Sequence, residues 1–390
     1  MLHRIGALLV LVPSLSLGAE APPPMMPAPP ASVGVNAEKL GAAVEFAIAN
    51  ESTNPRDLLA EHEINWGREP YDGPIGPLKD RGDMTGVIVR SGHIIARWGE
   101  PQRVDMTFSV SKSYLSTTVG LAWDDKLIPD LHAPVHSLVP IEEFESEHNI
   151  RVTWDHLLRQ TSDWEGMLFG KPDWADRPGQ DLRVARERER YEPGEMYKYN
   201  DVRVNALALA ALHVWRRPLP EVLRERIMDP IGASDTWRWH GYTTSWVEID
   251  TKLIQSVSGG GHWGGGMFIN ADDHARFAQL LLSRGRWGDE QLISEAWVKL
   301  AETPTDAGNA HSSRFGPLPG FMNFFVNTNQ ERLPSAPASA VIHLGSGTNM
   351  LYIDREHDLV IVARWIDRSA IDEFVGMVLD SIESAPTTEP

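Results

Sequence analysis

The chain has no cysteine in its 390 residues. That absence removes disulfides, thiolate metal centres and a thiol nucleophile together. Positive charge is also scarce, with 36 Lys and Arg against 54 Asp and Glu and a formal net charge of -18. Nucleic acid and anionic lipid both need a basic face, so the balance argues against either as a partner. No apolar run reaches the roughly 20 residues of a membrane span, and no internal repeat is present. There is no His-Glu-x-x-His, and the 14 histidines are scattered without ligand spacing, which argues against zinc chemistry. No Gly-x-Ser-x-Gly occurs, so a nucleophile elbow is missing too. Neither a metal nor an organic cofactor is expected.

What is present begins with Met1-Leu2-His3-Arg4, an apolar run from Ile5 to Leu17 and a Gly18-Ala19 close. These are the parts of a secretory signal peptide over 1–19, and without a lipobox cysteine they predict a periplasmic or secreted protein. Residues 20–36 are rich in proline, alanine and methionine and read as an extended linker. The tail, 385–390, reads as flexible.

The full chain is 42% hydrophobic, and the stretch between them, 37–384, is long enough for a large core. Asn36 can cap a helix carrying Leu40, Val44, Ala47 and Ile48 at helical spacing. Gly86 to Arg90 and His93 to Trp98 flank Ser91-Gly92, a hairpin signal. Asn349 to Ile353 and Leu359 to Trp365 predict a second hairpin. Ser369 then caps a helix with Ile371, Phe374, Val375 and Val378 on its stripe. Strands at both ends around a helix-rich middle predict an α+β fold. Its antiparallel sheet, flanked by N- and C-terminal helices, is drawn from about 37–117 and 255–384, with a mostly helical lobe over about 118–254 inserted. Arg81-Gly82-Asp83 reads as a surface turn, and Arg183 to Arg190 as a solvated helix face.

Of all the lysines, Lys112 alone has a serine three residues before it, in Phe108-Ser109-Val110-Ser111-Lys112-Ser113. Residues i and i+3 share a helix face, so the amine can reach the Ser109 oxygen. A serine needs such a neighbour, because the neutral hydroxyl is a poor nucleophile. Further on, Pro193-Gly194 leads to Tyr199-Asn200-Asp201, where a phenol beside an ammonium group can relay protons. His343-Leu344-Gly345-Ser346 precedes a strand, and its glycine would let backbone approach a substrate.

In this order the three elements resemble the boxes of the serine hydrolases of the class C β-lactamase and DD-peptidase superfamily: Ser-x-x-Lys, Tyr-x-Asn and Lys/His-x-Gly. Leu157 to Ser162 and Gly260 to Met267 look like the same family. The resemblance implies a β-lactamase/transpeptidase-like fold and an acyl-enzyme on Ser109. Lys112 and Tyr199 would share the base and acid work, and the N–H groups of Ser109 and Ser346 would hold the oxyanion. His343 and Gly345 would line the site. The chain departs from the pattern at Asp201, where the family has asparagine. A carboxylate there would favour the ammonium form of Lys112, leaving open whether Lys112 or Tyr199 is the resting base and whether Asp201 faces the site.

The expected activity is hydrolysis of a small ester or amide. The alternatives are a β-lactamase or D-alanyl-D-alanine carboxypeptidase using the same residues, with histidine in the third box tilting away from a dedicated β-lactamase, and a non-catalytic binding protein on the same scaffold. Trp164, Trp174, Trp237, Trp239 and Trp263 are candidates for a cleft wall or for core. The oligomeric state is not legible.

Overall fold

A computed structural model describes residues 25–308, 311–312 and 316–383. The expected signal peptide, 1–19, and the tail, 385–390, lie outside the described residues. The strands that position the site are β1 (Thr85–Arg90), β2 (His93–Trp98), β3 (Asp105–Met106), β4 (Arg238–Ile249), β5 (Lys252–Val257), β6 (Gly266–Ile269), β7 (Phe325–Val326), β8 (Val341–Gly345), β9 (Asn349–Asp354) and β10 (Leu359–Arg364). The principal helices are α1 (Ala37–Ala49), α2 (Leu58–Trp66), α3 (Ser111–Asp124), α4 (Asp201–Trp215), α5 (Ala271–Leu282) and α6 (Ile371–Asp380).

Six strands form one antiparallel sheet in the order β7-β8-β9-β10-β1-β2. The two ends of the chain meet where β1 pairs with β10, Val87 opposite Val362. The β1–β2 turn is tight because Ser91 and Gly92 both take positive φ, 49° and 71°. Every residue of β9 and β10 is buried, so both faces are covered. Side chains alternate between two cores, as the strand period requires. Leu359, Ile361 and Ala363 pack with α1 and α6, while Val360 and Val362 pack with α3, α4 and α5. Each buried Val or Ile contributes roughly 1.5–3 kcal/mol.

The terminal helices follow the pattern expected, with differences at their edges. Asn36 caps α1 through Oδ1, which accepts the N–H of Glu38 and Lys39. Leu40, Ala43 and Ala47 face the sheet, whereas Ile48 is exposed. Ser369 is not a cap. Asp367 accepts its N–H and opens a 3-10 turn, Arg368–Ala370, that runs into α6.

The linker expectation is corrected over 25–36. Met25 is buried, and Met26 and Ala28 exchange backbone hydrogen bonds with Ile94, so this proline-rich stretch lies along the β2 edge. A proline-rich strand can pair there, because an edge strand needs only part of its N–H groups. Arg81 is likewise buried rather than on a surface turn, bonded to Glu51 Oε1 at 2.6 Å and to the Ser52 and Asn54 carbonyls.

In the middle of the chain α4 is buried nearly all round, as a central helix is. The region is less purely helical than expected, since β4 and β5 form a long hairpin in a second sheet ordered β3-β6-β4-β5. Its alternation was hidden because the register shifts between Gly241 and Trp246. Arg188 and Arg190 also leave the expected solvated face. They reach Asp163 and Asp173, each at 2.7 Å.

Candidate active site

Strand β3 pairs with β6 and is followed by Thr107, whose N–H donates to the Met267 carbonyl. The chain then turns through a 3-10 segment, Phe108–Val110, into α3. Ser109 therefore sits on the turn and Lys112 in the first turn of α3. Three residues per turn bring i and i+3 into line, which is the geometry the pair needs. Phe108 takes φ +48°, a left-handed conformation unusual for a bulky residue, and its ring is held by Trp66 and Trp365. As the second residue of the turn, Ser109 has no carbonyl one turn back for its own N–H.

Ser109 Oγ accepts a hydrogen bond from Lys112 Nζ at 3.1 Å and another from the Tyr199 hydroxyl at 2.6 Å. Tyr199 stands just before α4, whose cap Asn200 accepts the Arg203 N–H. Asp201 faces the site. Its Oδ1 lies 2.8 Å from Lys112 Nζ, and both side chains are buried. Burial disfavours the Lys112 ammonium, but Asp201, helped by Tyr199, outweighs it and holds its pKa above the ordinary lysine value. For Asp201, burial works against ionisation, yet Lys112 and Arg177 pull its carboxyl down to about 2. Lys112 therefore rests as an ammonium ion.

The third box is divided by the structure. Gly345 and Ser346 line the same cavity as Ser109, a cleft of about 450 Å³. The close approach that requires glycine at 345 is to the protein itself: a Cβ there would lie 2.2 Å from the Thr107 carbonyl oxygen, just before the nucleophile turn. Ser346 Oγ donates to Glu61 Oε1 at 3.1 Å. The His343 side chain does not line the cavity. It turns beneath α3, with Nδ1 2.7 Å from Ser113 Oγ and its ring against Phe324. Burial, with Arg355 adding to it, lowers its pKa to about 3 and keeps it neutral.

Several residues of the site carried no local signal. Arg177 follows Asp176 in an irregular stretch; it pairs with Asp176 and lies 3.8 Å from Asp201 Oδ1. Asn323 Nδ2 donates to the carbonyls of Ser109 and Leu344, both at 2.9 Å, and so ties the Ser109 turn to β8. Gly260 clears the charge pair, since a Cβ would sit 2.1 Å from Asp201 Oδ2 and 2.3 Å from Lys112 Nζ. The Gly260 to Met267 stretch hinted at this only by composition. Among the tryptophans, Trp66 lines the cavity. Trp164, Trp237, Trp239 and Trp263 are core, and Trp174 stacks edge-on against Tyr71 away from Ser109.

Glu69, Asp176 and His262 bring three ligand atoms within 4.8 Å of one another. The set does not suit a cation. Asp176 already takes Arg177 and the Asp201 N–H, His262 Nε2 is on Glu69 at 2.8 Å, and the Lys112 and Arg177 charges lie alongside. The arrangement instead suits acyl transfer: a hydroxyl flanked by a cation and a phenol, next to an N–H free to meet an oxyanion.

A sequence model of the family described as Beta-lactamase matches residues 80–365. An uncharacterized protein of Mycobacterium tuberculosis is 26% identical over 139 residues, 31% of this chain and 34% of that protein. A protein of Escherichia coli, provisionally named a D-alanyl-D-alanine carboxypeptidase, is 26% identical over 207 residues, 44% of this chain and 45% of that protein. The chain thus spans less than half the length of these curated relatives. Among solved structures, EstCE1, described as a hydrolase with promiscuous acyltransferase activity, superposes with a TM-score of 0.57 at 16% identity, over 89% of this chain and 99% of that one. That likeness is one of fold.

Proposed function

The chain belongs to the β-lactamase family, and on that premise we propose that it is a hydrolase that cleaves a small ester or amide through an acyl-enzyme on Ser109. The observation that carries this reading is the Ser109 Oγ, which receives both Lys112 Nζ and the Tyr199 hydroxyl at the floor of the cavity. With Lys112 held as an ammonium by Asp201, the group beside Ser109 left to take its proton is the Tyr199 oxygen, which relays a proton to the leaving group. Ser109 Oγ bonds to the substrate carbonyl carbon as its proton passes to the Tyr199 oxygen. The tetrahedral adduct, its O⁻ held by the N–H groups of Ser109 and Ser346, expels the alcohol or amine, which takes up that proton. Water repeats the sequence on the acyl ester and releases the acid.

Hydrolysis of a short-chain nitrophenyl ester tests this directly. Ser109→Ala should lower turnover by roughly 10³-fold or more while leaving the protein folded; full activity in that variant sinks the proposal. A second reading, hydrolysis of a β-lactam or a D-alanyl peptide by the same residues, is supported by the resemblance to the Escherichia coli protein. Cephalosporin turnover exceeding ester turnover would put it first. A binding protein without catalysis is the remaining alternative, and labelling of Ser109 by a fluorophosphonate separates it, because such a protein has no activated serine.

A further inference from the structure

We propose that Glu61 is a positioning residue for the oxyanion donor at Ser346, fixing the turn after β8 to α2 through one carboxylate oxygen; this rests on the acyl-enzyme reading above. Ser346 is the first residue past the β8–β9 ladder, whose last pair is Gly345 opposite Asn349, so strand pairing does not hold it. Its carbonyl is held within the turn, where it accepts Asn349 Nδ2 at 2.9 Å. Its side chain is held from outside the sheet, where Ser346 Oγ donates to Glu61 Oε1 at 3.1 Å. Anchoring carbonyl and side chain together limits rotation about the Cα, and an oxyanion donor works only while its N–H stays aimed.

Glu61 is 1% exposed, in the middle of α2. The same Oε1 accepts Asn65 Nδ2 at 2.8 Å and Asn54 Nδ2 at 3.3 Å. Asn65, four residues on, shares its helix face. Asn54, Asn65 and Ser346 all line the cavity that holds Ser109. One oxygen thus gathers cavity wall from three segments: the chain before α2, α2 itself and the turn after β8. The other, Oε2, is buried and bonds to nothing among the described residues. Burial raises the Glu61 pKa, and the bonds from Ser346 and Asn65, with Arg81 nearby, offset it only in part. A carboxylate so placed costs stability when ionised, so stability does not account for the cluster.

Helix α2 also reaches the other proposed oxyanion donor. The Trp66 ring, at its C-terminal end, lies 6.1 Å from that of Phe108, the residue before Ser109. Leu58, at its start, packs in one cluster with Phe108 and Trp365. Trp365 in turn closes the Ser346 turn from the far side, since a Cβ at Gly347 would lie 2.4 Å from its ring. Between Leu58 and Trp66, Glu61 is the polar link from this helix to Ser346. It therefore sets the spacing between the Ser109 and Ser346 N–H groups.

A double-mutant cycle on the full chain tests this. Values of kcat and KM for a short-chain nitrophenyl ester, and the rate of fluorophosphonate labelling at Ser109, are measured in the parent, Glu61→Ala, Ser346→Ala, the double variant and Glu61→Gln. Circular dichroism checks that each is folded. Glu61→Ala should lower kcat and the labelling rate by roughly 10–100-fold and leave KM within about twofold of the parent. Ser346→Ala keeps the N–H and loses only the tether; it should lose about as much, and the double variant no more than either alone. Glu61→Gln keeps an oxygen acceptor and should restore most of the rate. Losses that multiply in the double variant, a loss confined to KM, or a parent-like kcat in Glu61→Ala each overturn the inference and leave the acyl-enzyme intact. Should Glu61→Ala fail to fold, Ser346→Ala decides, and a parent-like kcat there overturns it. If the parent neither turns over ester nor takes the fluorophosphonate, the acyl-enzyme reading itself fails, and this inference with it.

Discussion

The six-stranded sheet and the charged cluster of Asp163, Asp173 and Arg203 are both buried at their centres, yet different forces hold them. In the sheet, Val360, Ile361 and Val362 alternate between two apolar cores and need only neighbours of suitable volume. In the cluster, buried charges do the fixing. Arg203, in the first turn of α4, lies 2.5 Å from Asp163 and 3.4 Å from Asp173, and donates to the Trp164 carbonyl. Arg188 and Arg190 close the same two carboxylates from outside. Asp176, Asp201, Arg177 and Lys112 continue the pattern to Ser109. Trimming an apolar side chain costs in proportion to the surface it buried, whereas a buried ion stripped of its partner keeps its full desolvation penalty. The site is thus built on the less forgiving of the two regions.

The sharpest way to break this comparison is Arg203→Met, which keeps volume and removes the cation. Denaturant unfolding should show a loss of about 3–5 kcal/mol, because Asp163 and Asp173 are left buried with fewer partners. A loss under about 1 kcal/mol would mean that the charges are ornamental.

Acid should separate the regions next. Burial raises the pKa of Asp163 and Asp201, but their cationic partners win and bring each to about 2. A carboxylate whose folded pKa is depressed contributes stability that is complete above its unfolded value near 4. That contribution is lost as pH falls from about 4 through about 2. Limited pepsin digestion over this window should cut within 160–205 before β9 or β10. Simultaneous cutting would show that the two regions share one stability.

The smallest effect belongs to the sheet. Ile361→Val, which deletes one buried methylene, should cost roughly 0.5–1.5 kcal/mol and leave ester turnover unchanged. A larger loss, or a fall in turnover, would tie the sheet core to the site more closely than the comparison allows.

Legibility in the sequence divides along the same line. The β1–β2 and β9–β10 hairpins and the helices α1 and α6 could be read from alternation, helical period and capping residues, because those signals are local. Ser109 and Lys112 could be paired because three residues separate them. The β4–β5 hairpin escaped, its alternation broken by a register shift. The charged run around Arg188 was read as solvated, since nothing within it shows that Asp163 and Asp173 wait across a loop. Asp201 could be flagged as a departure from asparagine, but which way it faces needed coordinates.

By itself, then, the sequence determined the antiparallel sheet at its two ends, the pairing of Ser109 with Lys112, and the absence of thiol chemistry, all of which depend on residue type and short spacing. Only the tertiary structure decided that Asp201 keeps Lys112 charged and that Arg177 covers Tyr199. It also decided that Asn323 braces the nucleophile turn and that His343 turns to Ser113. Those choices follow from where a buried charge or polar group finds its partner, and the partners lie between 21 and 230 residues away along the chain.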